Sequence, residues 1–340
     1  MVLSACWDRD NTLAWHNRPV RIVIFGAGSV GGVVGARLAE HGHDVAFIAR
    51  GTHYRAILEN GLRMETPDGE LRIDVPVVDA PSRIAWTEDD IVVLATKTQD
   101  TVGALTALAA AAPSTVPIFC MQNGVANERM ALRRFPNVYG VYVWCVSSHL
   151  EAGVVEAWCA PMTGVLDVGR YPSGVDTLAT TVAEAFRSST FFSSARTDVM
   201  RWKYRKLLSN LGNAVEALCG SAPRSSVVVT EARREGVACL TAARIPVAAE
   251  DEEVAEREKL LKVRSIGGRS RGGGSSWQSL ARGSGSIECD YLNGEIVLLG
   301  RLFGVPTPVN ELLERLARQA AVEGKPPGSM SVSELEQRIK

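Results

Sequence analysis

The β-branched run Arg21-Ile22-Val23-Ile24-Phe25 passes without a spacer into Gly26-Ala27-Gly28-Ser29-Val30-Gly31-Gly32. A short, continuously apolar run bounded by glycine reads as a buried strand. G-x-G-x-x-G at its end reads as a strand-to-helix turn, which belongs to a parallel sheet with helices packed on its faces. Each glycine has a separate duty. Gly26 permits the tight turn, Gly28 lets the backbone approach a pyrophosphate, and Gly31 lets the helix close against the strand. The helix that begins there carries unpaired N–H groups at its first turn, so Gly26 to Gly31, with Ala27, Ser29 and Val30 between the glycines, form the expected dinucleotide-binding turn.

The rest of the chain agrees with that start. From Val20 to about Ser194, short apolar runs alternate with amphipathic or Ala-rich segments, the pattern of βαβ units. Strands are expected at Arg21–Phe25, Asp44–Ile48, Ile91–Ala95, Pro117–Met121 and Val138–Val146. Gly153–Cys159 and Thr163–Val168 leave no room for crossover helices and read as an antiparallel addition. Thr177–Arg187 reads as a helix. After Thr197 helices dominate: one long helix from Asp198 to about Leu218, then Glu231–Arg244, Glu250–Lys262, Ser275–Arg282, Ser286–Phe303 and Pro308–Val322. The glycines of residues 265–274 are too costly for a helix, so that stretch is a loop. The expected division is an extension over 1–19, a Rossmann domain over 20–196, a helical domain over 197–324 and a loosely attached tail over 325–340.

A chain of 340 residues is long enough for two such domains. With 37 Lys and Arg against 38 Asp and Glu, the formal charge of −1 offers no global attraction for nucleic acid or an anionic membrane. The seven cysteines are odd in number and lack C-x-x-C spacing, so neither a disulfide framework nor a zinc site is expected. The five histidines have no metal-ligand spacing either. Asp8, Arg9 and Asp10 stand where a signal peptide needs its apolar core, and the longest uncharged stretch, Thr101 to Gln122, is broken by prolines. A cytoplasmic location is expected.

Candidate site residues lie at the carboxyl ends of the expected strands, where open α/β sheets place their ligands. The second strand ends at Arg50, where an NAD-binding chain usually has a carboxylate. A guanidinium there favours a ribose 2′-phosphate, and hence NADP. Lys97 follows the third of these strands and faces cofactor phosphates or ribose. Asn123, in Gln122-Asn123-Gly124, is placed to bridge cofactor and substrate. In the long helix Lys206, Asn210 and Asn213 recur at i, i+4 and i+7, a polar stripe beside an apolar face. Glu288 falls in the first turn of a later helix, and its spacing alone assigns it no role.

These residues carry a resemblance. Gly-Ala-Gly-Ser-Val-Gly-Gly at 26–32, Lys97, Gln-Asn-Gly at 122–124, Lys-Leu-Leu-Ser-Asn at 206–210, Ser-Ser at 275–276 and Ile-Glu-Cys-Asp-Tyr-Leu-Asn-Gly at 287–294 resemble the ketopantoate reductases, the 2-dehydropantoate 2-reductases, from Val20 to about Val322. The resemblance implies a Rossmann domain joined to a helical domain similar to that of 6-phosphogluconate dehydrogenase. NADPH and a 2-oxo acid would lie between them, with 2-dehydropantoate reduced to pantoate in pantothenate and coenzyme A biosynthesis. It implies Lys206 as the catalytic acid, Asn123, Asn210 and Ser276 as substrate ligands, and Glu288 against the nicotinamide ribose. Asn213 corresponds to a second helical asparagine, though it lies three residues after Asn210 instead of the family's usual four. The turn 219–223 lacks an asparagine that some members use, and Trp277 is larger than the usual neighbour of Ser276. Two other readings stand beside this one: a paralogous reductase of another ketone, and a non-catalytic NADP-sensing protein, against which the intact Lys206, Asn210, Ser276 and Glu288 argue. A homodimer through the helical domain is compatible with all three.

Overall fold

The structure, a computed structural model, describes residues 20–220, 226–252 and 260–339. Among the described residues twelve strands follow in chain order: β1 (Arg21–Phe25), β2 (Val45–Ile48), β3 (Leu62–Thr66), β4 (Gly69–Ile73), β5 (Val77–Val78), β6 (Asp90–Leu94), β7 (Ile118–Cys120), β8 (Val138–Cys145), β9 (Ser147–Ser148), β10 (Val154–Ala157), β11 (Gly164–Arg170) and β12 (Phe191–Phe192). Among the helices, α1 (Ser29–Glu40), α2 (Gly51–Asn60), α3 (Thr101–Ala109), α4 (Asn127–Leu132) and α5 (Thr177–Ser188) alternate with them. The helices that follow are α6 (Val199–Asn210), α7 (Asn213–Cys219), α8 (Val227–Ala242), α9 (Ser275–Ala281), α10 (Asn293–Phe303), α11 (Pro308–Val322) and α12 (Val332–Gln337).

Eight strands form one sheet in the order β12-β11-β8-β7-β6-β1-β2-β5. β1 is an interior strand, with all but the first of its five residues buried, and it pairs in parallel with β2 on one side and β6 on the other. The chain leaves β1 toward β2 and crosses back to β6. The crevice above the carboxyl ends of β1 and β6 is therefore the switch point where such sheets bind ligands. β11 runs antiparallel to β8 over its whole length, as the lack of a crossover helix requires.

Gly153–Cys159 departs from expectation. Its strand, β10, does not extend the large sheet but joins a second one in the order β4-β3-β10-β9, pairing in parallel with β3 and antiparallel with β9. The β3–β4 hairpin that receives it was readable: Leu62-Arg63-Met64-Glu65-Thr66 alternates and is followed by Pro67-Asp68-Gly69. The second sheet covers α1, and a Cβ on Gly32 would stand 2.7 Å from Val155 Cγ1.

Four helical expectations are also corrected. The helix expected from Asp198 to Leu218 is interrupted after Asn210. Leu211 and Gly212 form a turn, and the buried Asn293 donates its amide to the Leu211 carbonyl at 3.1 Å, in place of the amide that would continue the helix. The segment 286–303 splits into a 3-10 turn over Glu288–Tyr291 and then α10, with Leu292 out of helical geometry between them. α8 starts four residues earlier than expected, where the Ser226 hydroxyl accepts from the Val229 amide and caps it. The tail is fastened: Leu335 is fully buried, and the Gly328 and Met330 amides donate to the carbonyls of Ala217 and Leu218. The extension over 1–19 and most of the helix expected over 250–262 lie outside the described residues. Among the described residues no helix is long and apolar enough to cross a membrane, and no His, Cys, Asp and Glu cluster has a metal-binding arrangement.

Candidate dinucleotide groove and active site

The glycine turn is built as its spacing demands. Gly26 has φ +109°, and a Cβ there would lie 2.8 Å from the Thr96 amide nitrogen, so β1 and the end of β6 touch only because it has none. A Cβ on Gly31 would collide with the Gly26 carbonyl oxygen. At Gly28 nothing lies within 4 Å of the corresponding position, so that side of the turn is open to a ligand. α1 has neither a side-chain cap nor an acidic residue in its first turn, which leaves its positive end to an anion from outside the chain.

One groove runs from this turn. Gly26, Ala27, Gly28, Ser29 and Val30 line it together with Arg50, Lys97, Asn123 and Glu288, so nearly all the cofactor candidates converge; Gly31 lies beneath, packed on Ile24 and Ala95. Arg50 occupies the N-cap position of α2 and is exposed. Lys97 follows β6, and Glu288 reaches the same place from the helical half. Their ion pair is 2.9 Å long, and Thr98 adds its amide and hydroxyl to the carboxylate at 3.1 Å each. Burial alone would push the Glu288 carboxyl up. The Lys97 ammonium and these hydrogen bonds outweigh it and hold the group below its ordinary value, so it is a carboxylate at neutral pH.

Asn123 sits in a turn fixed from beneath. Gln122 donates to the Thr96 carbonyl at 2.9 Å and the Thr101 hydroxyl at 2.8 Å, Asn127 donates to the Asn123 carbonyl at 3.1 Å, and Gly124 takes φ +77°. The Asn123 side chain then meets α6: Asn210 donates its amide to Asn123 Oδ1 at 3.2 Å. One turn earlier on α6, the Lys206 ammonium lies over the Trp144 ring, 2.9 Å from its centre, while the Trp144 indole N–H donates to the Tyr142 hydroxyl. Ser276 is buried on α9, next to Ser275, which lines the groove. Asn213 opens α7, so the stripe of three polar residues on one helix ends at Asn210. Trp277 is occupied elsewhere: Cβ atoms on Gly272 or Gly273 would run into its ring, which explains why that strap is glycine. Residues 221–223 of the turn after α7 lie outside the described residues.

Several groove residues were not foreseen. His53 donates from Nε2 to the Ala27 carbonyl at 2.7 Å and accepts the Gly153 amide at Nδ1, 2.9 Å away, so its neutral tautomer is set by two partners. His149 lies against it with ring centres 4.1 Å apart. Burial, then the charge of His149, pull the His53 pKa down to about 4. His149, Gln278 and Arg282 also line the groove. No local signal marked them, because the contacts that bring them to the groove, His53 with Gly153, Gln278 with Ser147 and Arg282 with His149, join residues a hundred or more positions apart. The one available hint was that His53 falls a single helical turn after Arg50.

A family model described as "Ketopantoate reductase PanE/ApbA" matches residues 22–171, and one described as "Ketopantoate reductase PanE/ApbA C terminal" matches residues 198–321. The curated 2-dehydropantoate 2-reductase of Halobacterium salinarum is 29% identical over 90% of this chain and 100% of its own length, and that of Mesorhizobium japonicum is 30% identical over 89% and 98%. Among solved structures, a PanE/ApbA family ketopantoate reductase from Ralstonia eutropha JMP134 superposes with a TM-score of 0.75 at 26% identity, covering 90% of this chain and all of its own.

Proposed function

Because the chain belongs to the ketopantoate reductase family and is an oxidoreductase, we propose that it reduces a 2-oxo acid to a 2-hydroxy acid with NADPH, and that 2-dehydropantoate is its substrate. The observation that carries this reading is the meeting of α6 with the groove: Asn210 bonds Asn123 at 3.2 Å, and Lys206 stands one turn away. The donor set fits a dinucleotide. The open turn at Gly28 with Ala27, Ser29 and Val30 suits the pyrophosphate, Arg50 the 2′-phosphate, and Lys97 with Glu288 the nicotinamide ribose. When bound, NADPH supplies the hydride.

Hydride addition leaves negative charge on the ketone oxygen, and the cationic Lys206 stabilises that charge and then protonates it. Asn123, Asn210 and Ser276 hold the oxo acid by hydrogen bonds, with Asn213 as a further amide from α7. Each is a neutral group, so the site orients the substrate without competing for the proton. Lys97 acts on binding more than on chemistry, since its ammonium already neutralises Glu288.

The test is NADPH oxidation with a panel of 2-oxo acids, run on wild type and Lys206→Ala. The expected result is turnover with 2-dehydropantoate preferred, and a loss of about 10²- to 10⁴-fold in kcat for Lys206→Ala with NADPH affinity kept. Absence of turnover with every acid turns the reading into that of an NADP sensor. A hundredfold advantage in kcat/KM for another ketone assigns the substrate elsewhere.

A further inference from the structure

Arg282 is the residue after α9 and lines, from the helical half, the same groove as the glycine turn. Two links fix that placement. Gln278, one turn back on α9, donates to the Ser147 carbonyl at 3.0 Å, and the Ser147 hydroxyl meets that of Ser29, the first residue of α1, at 3.1 Å. Arg282 itself donates from Nη1 to the His149 carbonyl at 2.9 Å, and His149 lies against His53, which holds the Ala27 carbonyl. Arg282 is thus held in the groove that the glycine turn, Arg50 and the Lys97–Glu288 pair also line, close enough to Glu288 to feel its charge.

Its charge is not spent within the protein. Among the described residues no carboxylate forms an ion pair with Arg282, and Glu288, whose charge it feels, is held by Lys97. A guanidinium has five N–H donors in a planar fork suited to phosphate oxygens, and the bond to His149 engages only Nη1. The N-terminus of α1 offers partial positive charge from one wall of the groove, and Arg282 offers a full charge from the other. We propose that Arg282 binds the pyrophosphate of the dinucleotide, closing the phosphate site from the helical half. This rests on the dinucleotide reading of the groove.

The experiment is a fluorescence titration of NADPH and NADH into wild type, Arg282→Ala and Arg282→Lys, with adenosine 2′-monophosphate, which has no pyrophosphate, as a competitor. Arg282→Ala is expected to weaken NADPH and NADH by the same factor, about ten- to a hundredfold as for a charge-assisted hydrogen bond. The NADPH/NADH ratio and the affinity for adenosine 2′-monophosphate should stay unchanged. Arg282→Lys, which keeps the charge and loses the fork, should fall between. Unchanged dinucleotide affinity in Arg282→Ala overturns the proposal and leaves the function reading standing. Loss confined to NADPH, or an equal loss for adenosine 2′-monophosphate, overturns it in favour of a 2′-phosphate contact. Failure of the wild type to bind either dinucleotide overturns both.

Discussion

On the proposed reading, Arg50 is the residue on which the choice of cofactor turns. It ends the β2 segment, caps α2 by position without a side-chain bond, and projects exposed into the groove. Arg50 stands where an NAD-binding fold holds the ribose hydroxyls with a carboxylate, so in the proposed role it would give a 2′-phosphate a charge-assisted contact worth about 1.5–3 kcal/mol. Wild type should therefore bind NADPH about 10- to 150-fold more tightly than NADH, and Arg50→Ala should bring the two together. Parallel titrations of both nucleotides measure this, and equal wild-type affinities overturn the role given to Arg50. Its position was legible in the sequence because it depends only on counting from the glycine turn to the end of the next strand.

At the scale of elements, α2 is fastened to the glycine turn and to the start of β10 by one imidazole. His53 is neutral in the folded chain, with a pKa near 4, whereas an unfolded histidine titrates near 6.5. Between those values the unfolded chain binds the extra proton, so stability is greatest above about pH 6.5 and falls as the pH drops toward 4. His53→Gln should flatten this slope in urea unfolding followed across pH 4–7. His43 and His149, also shifted down by burial, should keep some of it. An unchanged slope would show that His53 is not held neutral. The break after α6 belongs to this scale too. Periodicity alone runs the helix on to Leu218, because Leu211, Ala214, Val215 and Leu218 keep the apolar face; what stops it is the amide of Asn293, far along the chain.

Across the whole molecule the two halves are joined by charges that neither half can satisfy alone. Lys97 with Glu288 lines the groove, and a deeper pair lies behind it. Lys203 on α6, 3% exposed, reaches Glu128 on α4 at 2.5 Å and donates to the carbonyls of Cys120 and Gln122, the residues just before Asn123. Removing one member of a buried pair leaves an uncompensated charge and costs about 3–5 kcal/mol. Lys203→Met should lower stability by that amount in denaturant titration, and Lys203→Met with Glu128→Gln should recover part of it. A cost below about 1 kcal/mol would mean the pair does not hold the halves together.

The sequence by itself determined the parts of this protein whose physics is local. The β1 turn follows from which residues tolerate φ +109° and a carbonyl beside a missing Cβ, and the core strands follow from unbroken apolar runs. The groove side of the site followed as well, since Arg50, Lys97 and Asn123 sit at strand ends whose place in a parallel sheet is set by connection rules. Only the tertiary structure decided that β10 would join a second sheet over α1, that Asn213 would leave the stripe of Lys206 and Asn210, and that His53, Arg282 and Lys203 would meet the glycine turn, the groove and Glu128. Each of those outcomes depends on a hydrogen bond, ion pair or backbone pairing between residues far apart in the chain. The free energy of such contacts comes from burial that exists only after the distant segments have packed.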